Sequence, residues 1–259
     1  MSFERERLYQ RNRKLGKLPP RLDDRTLKMK KYVSPATPPQ AVYWSKGYRS
    51  WGMMLNDNLG DCTIAAVGHA IQTWKINLGK NVNLARVTLP DSAIELAYEQ
   101  WCSYNPADPS TDQGGVELDV LNDWRQSGIS GDKILAYADP DPASVLHVKQ
   151  SIFLFGGSYI GFNVPQSAMD QNAAGQDWTV VPDDGGIAGG HAVWCPDYNP
   201  TGLWCITWGM RQFMTWEFFE KYTDESHALL SRDWLTSGNL DPTGVDLTTL
   251  QSDLQGVVS

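Results

Sequence analysis

The sequence predicts an α+β protein in which helices come first and antiparallel strands follow. Three observations carry this. Between residues 62 and 127, apolar residues recur three and four apart in three separate stretches. After Gly131, short apolar runs bounded by turn residues take over, with two helical stretches among them. The 259 residues are 41% hydrophobic and 20% charged, an ordinary globular composition for one domain or two closely packed lobes.

The segments follow in order. Residues 1–40 read as a basic arm, extended or partly helical, ending in the polyproline-prone linker Ser34-Pro-Ala-Thr-Pro-Pro39. Residues 41–130 form the helical lobe. Ala41–Trp44 is a short strand, and Cys62 to about Leu78 is a helix with Ile64, Val67, Ile71 and Trp74 at helical spacing and Gly79 as its stop. Pro90-Asp-Ser92 starts a second helix, and a third runs from about Glu117 to Ser127, closed by Gly128. Residues 131–222 form the β lobe: strands at Lys133–Tyr137, Tyr159–Val164, His191–Cys195 and Leu203–Trp208, with helices at Asp141–Phe155 and Trp216–Tyr222. Residues 223–259 read as a polar C-terminal extension with one closing helix after Asp246.

Charge is unevenly spread. Residues 1–31 hold eleven Lys/Arg against four Asp/Glu, whereas the whole chain is −8, so a basic arm precedes a strongly acidic body. Such an arm either folds back on its own body or reaches an acidic protein or assembly partner. It lacks the interleaved aromatics of a nucleic-acid-binding arm. No run of about eighteen apolar residues is present, so no membrane span is predicted. The first residues, Met-Ser-Phe-Glu-Arg-Glu-Arg, lack the apolar core of a secretory signal, which points to synthesis in a cytoplasm. Cys62, Cys102, Cys195 and Cys205 include no Cys-x-x-Cys pair, so a zinc site is not expected, and the thiols read as mostly reduced, a Cys195–Cys205 bridge across a hairpin being open but not favoured. Eleven tryptophans imply a thick aromatic core or an aromatic binding surface.

Cys62 is the chemically loaded residue. It begins a helix, where the dipole's positive end lowers a thiol's pKa. Asn56 lies six residues earlier, and an amide there can donate to an oxyanion forming beside the sulfur. A nucleophile needs a base, and there are four histidines. His69 is two turns along the same helix, about 10 Å away, and reads as structural. His147 and His227 read as ordinary histidines of helical segments. His191 differs: it follows Gly189-Gly190 and opens an apolar strand, where glycines allow close approach of another chain.

At this point the chain resembles the papain-like cysteine peptidases. Asn56 takes the place of the family's oxyanion-hole glutamine, and Gly60-Asp-Cys62-Thr resembles its Gly-Ser-Cys-Trp. Gly114-Gly115 resembles its glycine wall for substrate, Gly190-His191-Ala-Val its histidine strand, and Thr207-Trp208-Gly209 its Asn-Ser-Trp-Gly. The separation of Cys62 from His191 also fits a papain-type pair. The match spans about residues 50–222, and a looser likeness is to uncharacterised papain-like proteins of bacteriophages and bacteria. The resemblance implies a papain-like α+β fold, a helical lobe followed by an antiparallel sheet or barrel lobe with the active-site cleft between them.

It also implies a thiol hydrolase acting on peptide or isopeptide bonds of a protein substrate, a chemistry that needs no metal or organic cofactor. Cys62 and His191 would form the catalytic pair, with Asn56 at the oxyanion and Gly114, Gly115, Gly190 and Trp208 lining the substrate. The family's imidazole-holding asparagine is replaced: Thr207 stands there, its hydroxyl able to accept Nδ1–H, with Asp197 as the alternative orienter. Aligning on Trp208 instead puts Ile206 in that place. This departure, the basic arm and the unmatched C-terminal extension fit a second reading, a weakened or inactive papain-fold component of a larger assembly such as a virus particle. The arm is shorter than the family's inhibitory propeptides and reads as a tether.

Overall fold

The computed structural model describes residues 12–32, 37–78, 87–142 and 144–236. Among these residues are seven strands and seven α-helices. Helix α1 (Cys62–Asn77) lies at the centre, and every residue in it except Lys75 is buried. A helix apolar or buried all round belongs inside a core, not on a surface. Around it stand α2 (Asp91–Cys102) and α3 (Glu117–Gln126). Ser103 in the left-handed region ends α2, and Gly128, at a φ of +76°, turns the chain out of α3. The expected stop at Gly79 falls outside the described residues.

The strands are β1 (Val42–Tyr43), β2 (Ile134–Ala138), β3 (Ser158–Pro165), β4 (Ile187–Asn199), β5 (Gly202–Thr207), β6 (Met210–Thr215) and β7 (Thr223–Ser231). They form one antiparallel sheet in the order β2-β7-β3-β4-β5-β6, with β1 added beside β4. Helices α4 (Val145–Phe155), α5 (Gln166–Ala173), α6 (Trp216–Tyr222) and α7 (Arg232–Thr236) connect or close them. Ser144 and Thr215 cap α4 and α6 by accepting the N–H groups of His147 and Phe218.

Two main cores flank the sheet. Ala192 and Trp194 of β4 join the core built on α1, with Trp74, Trp124 and Trp234, while Val193 and Cys195 join a second core with Phe162, Trp178, Trp208 and Phe218. Strand alternation assigns successive β4 residues to opposite cores. The tryptophans therefore serve mainly as core: Trp51, Trp124, Trp178, Trp194, Trp208 and Trp234 are all fully buried. All four cysteines are free thiols.

Most of the expected elements form, with corrections. Helix α5 and strand β6 were not foreseen. The residues after 222 do not begin an extension: β7 runs through Thr223–Ser231 and inserts between β2 and β3, with Glu225 to Ser231 buried. Its opening Thr-Asp-Glu-Ser-His is polar, which masked a central strand. The expected closing helix after Asp246 falls outside the described residues, as does part of the linker.

The arm is built into the body. Met29 and Tyr32 bury themselves against Ala136, Ala138, Leu154 and Leu230. The Asp139 backbone exchanges hydrogen bonds with Leu27 and Met29, at 2.7 and 3.0 Å, and its carboxylate pairs with Lys28 at 3.0 Å. Arg21 pairs with Asp119 of α3.

Candidate active site

Cys62 is the first residue of α1 and is 1% exposed. Its Sγ accepts the backbone N–H of Ala192, the residue after His191, at 3.5 Å. The sequence predicts a lowered thiol pKa from the helix N-terminus. In this structure burial outweighs that and pushes the thiol up to about 12, with the buried Asp61 adding to the rise and the N–H groups of Ala192 and Gly16 opposing it.

His191 lies on β4, fully buried. Its Nε2 and the Thr207 hydroxyl are hydrogen-bonded at 2.7 Å, and its ring stacks on Trp208 with centroids 4.5 Å apart and planes 18° from parallel. Phe162 meets the ring edge-on at 5.9 Å. Thr207 thus holds the imidazole as expected, but through Nε2, not Nδ1. Nδ1 is buried without a hydrogen-bond partner, so no hydrogen bond joins it to the thiol in this state. Burial without a compensating anion pushes His191 down to about 3, so the ring is neutral at ordinary pH.

Asp197 does not orient His191. It accepts from Ser45 N–H at 2.9 Å, from Ser45 Oγ at 2.6 Å and from Arg211 Nε at 2.7 Å. It lies six positions beyond His191 on β4, about 20 Å at the usual rise, so shared parity along the strand could not bring the two together. Ile206 packs with Trp51, Ile76 and Val87. Asn56 is 1% exposed, and its Nδ2 donates to Leu59 O at 3.1 Å, which closes the loop before α1. Its neighbour Asp61 is fully buried, and burial holds its pKa well above the carboxylate range against the opposing pull of the Asn56 amide and a backbone N–H.

The cleft is occupied by the chain's own arm. Gly16 and Lys17 donate to Gly190 O at 3.2 and 3.1 Å. Gly115 donates to Gly16 O at 2.8 Å, Leu18 donates to Gly115 O at 2.9 Å, and Lys17 and Gly115 form a parallel bridge. Lys14 N–H goes to Asn56 O at 3.1 Å, and Trp208 Nε1 donates to Lys14 O at 3.2 Å. Arg13 bonds Asn172. Asn56, Gly115, Gly190 and Trp208, four residues expected at the site, therefore meet here on one extended segment.

The fit requires glycine on both sides. A Cβ on Gly16 would collide with the Gly60 carbonyl, and one on Gly114 would collide with the Gly16 carbonyl. Gly114 N–H is anchored on Tyr98 Oη at 2.9 Å, which in turn donates to Asp112 Oδ1 at 2.7 Å. Asp112 also accepts Gly60 N–H at 2.9 Å, so one carboxylate fixes both walls around Gly16. The acidic loop 182–186 is held elsewhere, with Asp184 accepting from Tyr222 at 2.7 Å. The arm, expected as a tether, is here a docked segment that pairs with Gly115 through one parallel bridge. The contacts missed from sequence are main-chain ones, which leave no side-chain pattern to read.

No family model matches the chain, and no curated protein sequence matches it. Solved structures do. Xylellain, a cysteine protease from Xylella fastidiosa, is similar with a TM-score of 0.62 and 16% identity, over 85% of this chain and 97% of that one. The Carica candamarcensis cysteine protease CMS1MS2, in complex with E-64, is similar with a TM-score of 0.50 and 16% identity, over 74% and 98%. Procathepsin B from Trypanosoma congolense is similar with a TM-score of 0.50 and 12% identity, over 90% and 89%. The fold is thus that of the papain-like cysteine proteases. The 85% coverage by xylellain exceeds the span 50–222 over which the sequence motifs match.

Proposed function

We propose that the chain is a papain-like thiol hydrolase that cleaves peptide or isopeptide bonds through Cys62 and His191. The observation that carries this reading is the extended segment across Cys62, held by main-chain bonds to Gly115 and Gly190. A cleft that pairs with main chain in this way is suited to a polypeptide of varied sequence. On withdrawal of the arm, water reaches the thiol and the imidazole, and the burial that keeps both neutral is relieved.

The thiol proton then passes to His191 as sulfur attacks the carbonyl carbon. Thr207 accepts from Nε2–H, leaving Nδ1 to take and return the proton, and Trp208 shields that bond from water. The backbone N–H of Cys62 and the second amide N–H of Asn56 stabilise the oxyanion. His191 protonates the leaving amine, then takes a proton from the water that releases the acyl group. In the covered state the site is latent.

A side chain at residue 16 collides with Gly60, so the full chain carrying Gly16→Leu opens the site without touching the reacting groups. Alkylation of Cys62 by iodoacetamide is expected to rise at least about tenfold in that variant, since the reactive thiolate fraction follows pKa and exposure. A thiol-directed epoxide should label it, and Cys62→Ala should abolish labelling. Unchanged labelling of the alanine variant defeats the nucleophile. Labelling with no turnover of a peptide pool favours the non-catalytic component.

A further inference from the structure

A second buried polar cluster lies beside the cleft and takes no part in the chemistry of Cys62. Lys17, the residue that bridges Gly115, has a side chain 1% exposed. Its Nζ contacts Asp224 Oδ1 at 3.0 Å and Glu225 Oε1 at 2.9 Å, and donates to Leu18 O at 3.3 Å. Glu117, at the start of α3, is fully buried, and neither carboxylate oxygen has a hydrogen-bond partner. His227 lies 3.6 Å from both Glu117 Oε2 and Glu225 Oε2, and its Nδ1 reaches Asp139 at 2.8 Å. On β3, a Cβ at Gly161 would take the space of the Lys17 stem and the Glu117 carboxylate. The body thus supplies every wall of this pocket, from α3, β3 and β7, and the arm supplies only the ammonium.

We infer that this is a recognition pocket for a lysine side chain of the substrate, which Lys17 fills from within the same chain while the arm covers Cys62. The inference rests on the hydrolase reading and names its substrate class: a peptide that presents lysine where it pairs with Gly115. When the arm leaves, Asp224 loses its ammonium and Glu225 keeps only the His227 ring, 3.6 Å away and shared with Glu117, so the cluster is left with more carboxylates than cations in a mostly buried site and demands a replacement. An apolar or acidic side chain supplies none. Glu117, Glu225 and His227 are close enough together to hold a metal ion, with ligand atoms within 4.8 Å of one another. However, burial notwithstanding, the bond to Asp139 and the flanking carboxylates push His227 up to about 10, and a protonated imidazole offers no lone pair to a metal.

The test uses the full chain opened by Gly16→Leu and carrying Cys62→Ala and Lys17→Ala, titrated calorimetrically with the hexapeptide Arg-Lys-Leu-Gly-Lys-Leu, the sequence of residues 13–18. A second peptide has norleucine in place of its second lysine. The lysine peptide is expected to bind at least about tenfold more tightly, as an ammonium paired with buried carboxylates should. Adding Glu225→Gln should erase the preference. Equal affinities, or no binding of either peptide, overturn the pocket. So does tight binding of zinc or calcium alone that Glu225→Gln removes, which would make the cluster a metal site. Lys17→Met, which keeps the stem packed, serves where the alanine variant does not fold. Turnover is scored separately in a chain with Cys62 intact. Binding with lysine preference but no cleavage defeats the hydrolase and keeps the pocket, whereas cleavage without lysine preference defeats the pocket and keeps the hydrolase.

Discussion

Two buried histidines stand on the strands that flank β3, and their surroundings drive them in opposite directions. His191 on β4 pairs across from Phe162 and lies among Trp208, Phe162 and Thr207, and burial pushes it down to about 3. His227 on β7 pairs across from Tyr159 and sits between Asp139, Glu117 and Glu225. There the carboxylates overcome burial and push it up to about 10. Equal burial on one sheet therefore yields a neutral ring in one place and a cation in the other. What decides is whether the buried neighbours are rings or anions. The apolar box around His191 keeps a base available, and the anionic box around His227 makes it part of a charge cluster.

The comparison breaks most sharply at His191. Replacing it with alanine in the opened Gly16→Leu chain should cost about 10²–10⁴-fold in peptide turnover, the range of a positioned general acid and base. His227→Gln should cost far less and act through KM for lysine-bearing peptides, because that ring faces the pocket acids and not the thiol. Initial rates on a peptide pool separate the two. Next in size is stability. Glu225→Gln removes one side of a buried ion cluster, and such a loss is typically about 3–5 kcal/mol, so the denaturation midpoint should fall clearly.

Thr207→Val should lower turnover less than loss of His191, by about tenfold, since losing an orienting group is usually milder than losing the base. Thr207→Ser should restore the rate, which a merely packing role for the threonine would not require. A further consequence is the pH dependence of stability. His191, and His69 lowered to about 4, stay neutral when folded but take protons near pH 6.5 when unfolded, so stability falls as pH drops below about 6.5. His227 acts with the opposite sign. Its contribution is full below about 6.5 and is lost as pH rises toward 10. Melting temperatures across that range should decline on the alkaline side, and His227→Gln should flatten that limb alone.

How much of this was legible depended on the range of the interaction. Helix α1 was readable because its spacing is local, and His191 because glycines and an apolar strand surround it in sequence. Thr207 was readable by counting from His191, whereas aligning on Trp208 pointed to Ile206; the ring nitrogen it binds was not readable, because it depends on how β4 and β5 pair. His227 passed as ordinary because its partners Glu117 and Asp139 lie 110 and 88 residues away. The same distance hid the docked arm: Gly16 meets Gly115 and Gly190 through backbone atoms, which composition cannot display. Asp197 was misjudged because a carboxylate near a histidine in sequence says nothing about its distance along a strand. The surplus of basic residues in the arm over an acidic body was the one long-range clue, and Lys17 is where it is realised.

That the segment across Cys62 belongs to the same molecule has a kinetic meaning. An occupant joined to its site competes at an effective concentration in the millimolar range or above, set by the connecting chain and not by how much protein is present. Dilution therefore leaves the closed fraction unchanged, and a second protein copy does not alter it. Any peptide reaching Cys62 binds with its affinity scaled down by the open fraction. A protein that captures residues 13–18, an acidic one by the charge of that stretch, would raise the open fraction without touching the site. The rate at which the molecule starts work would then report the partner's concentration and not its own.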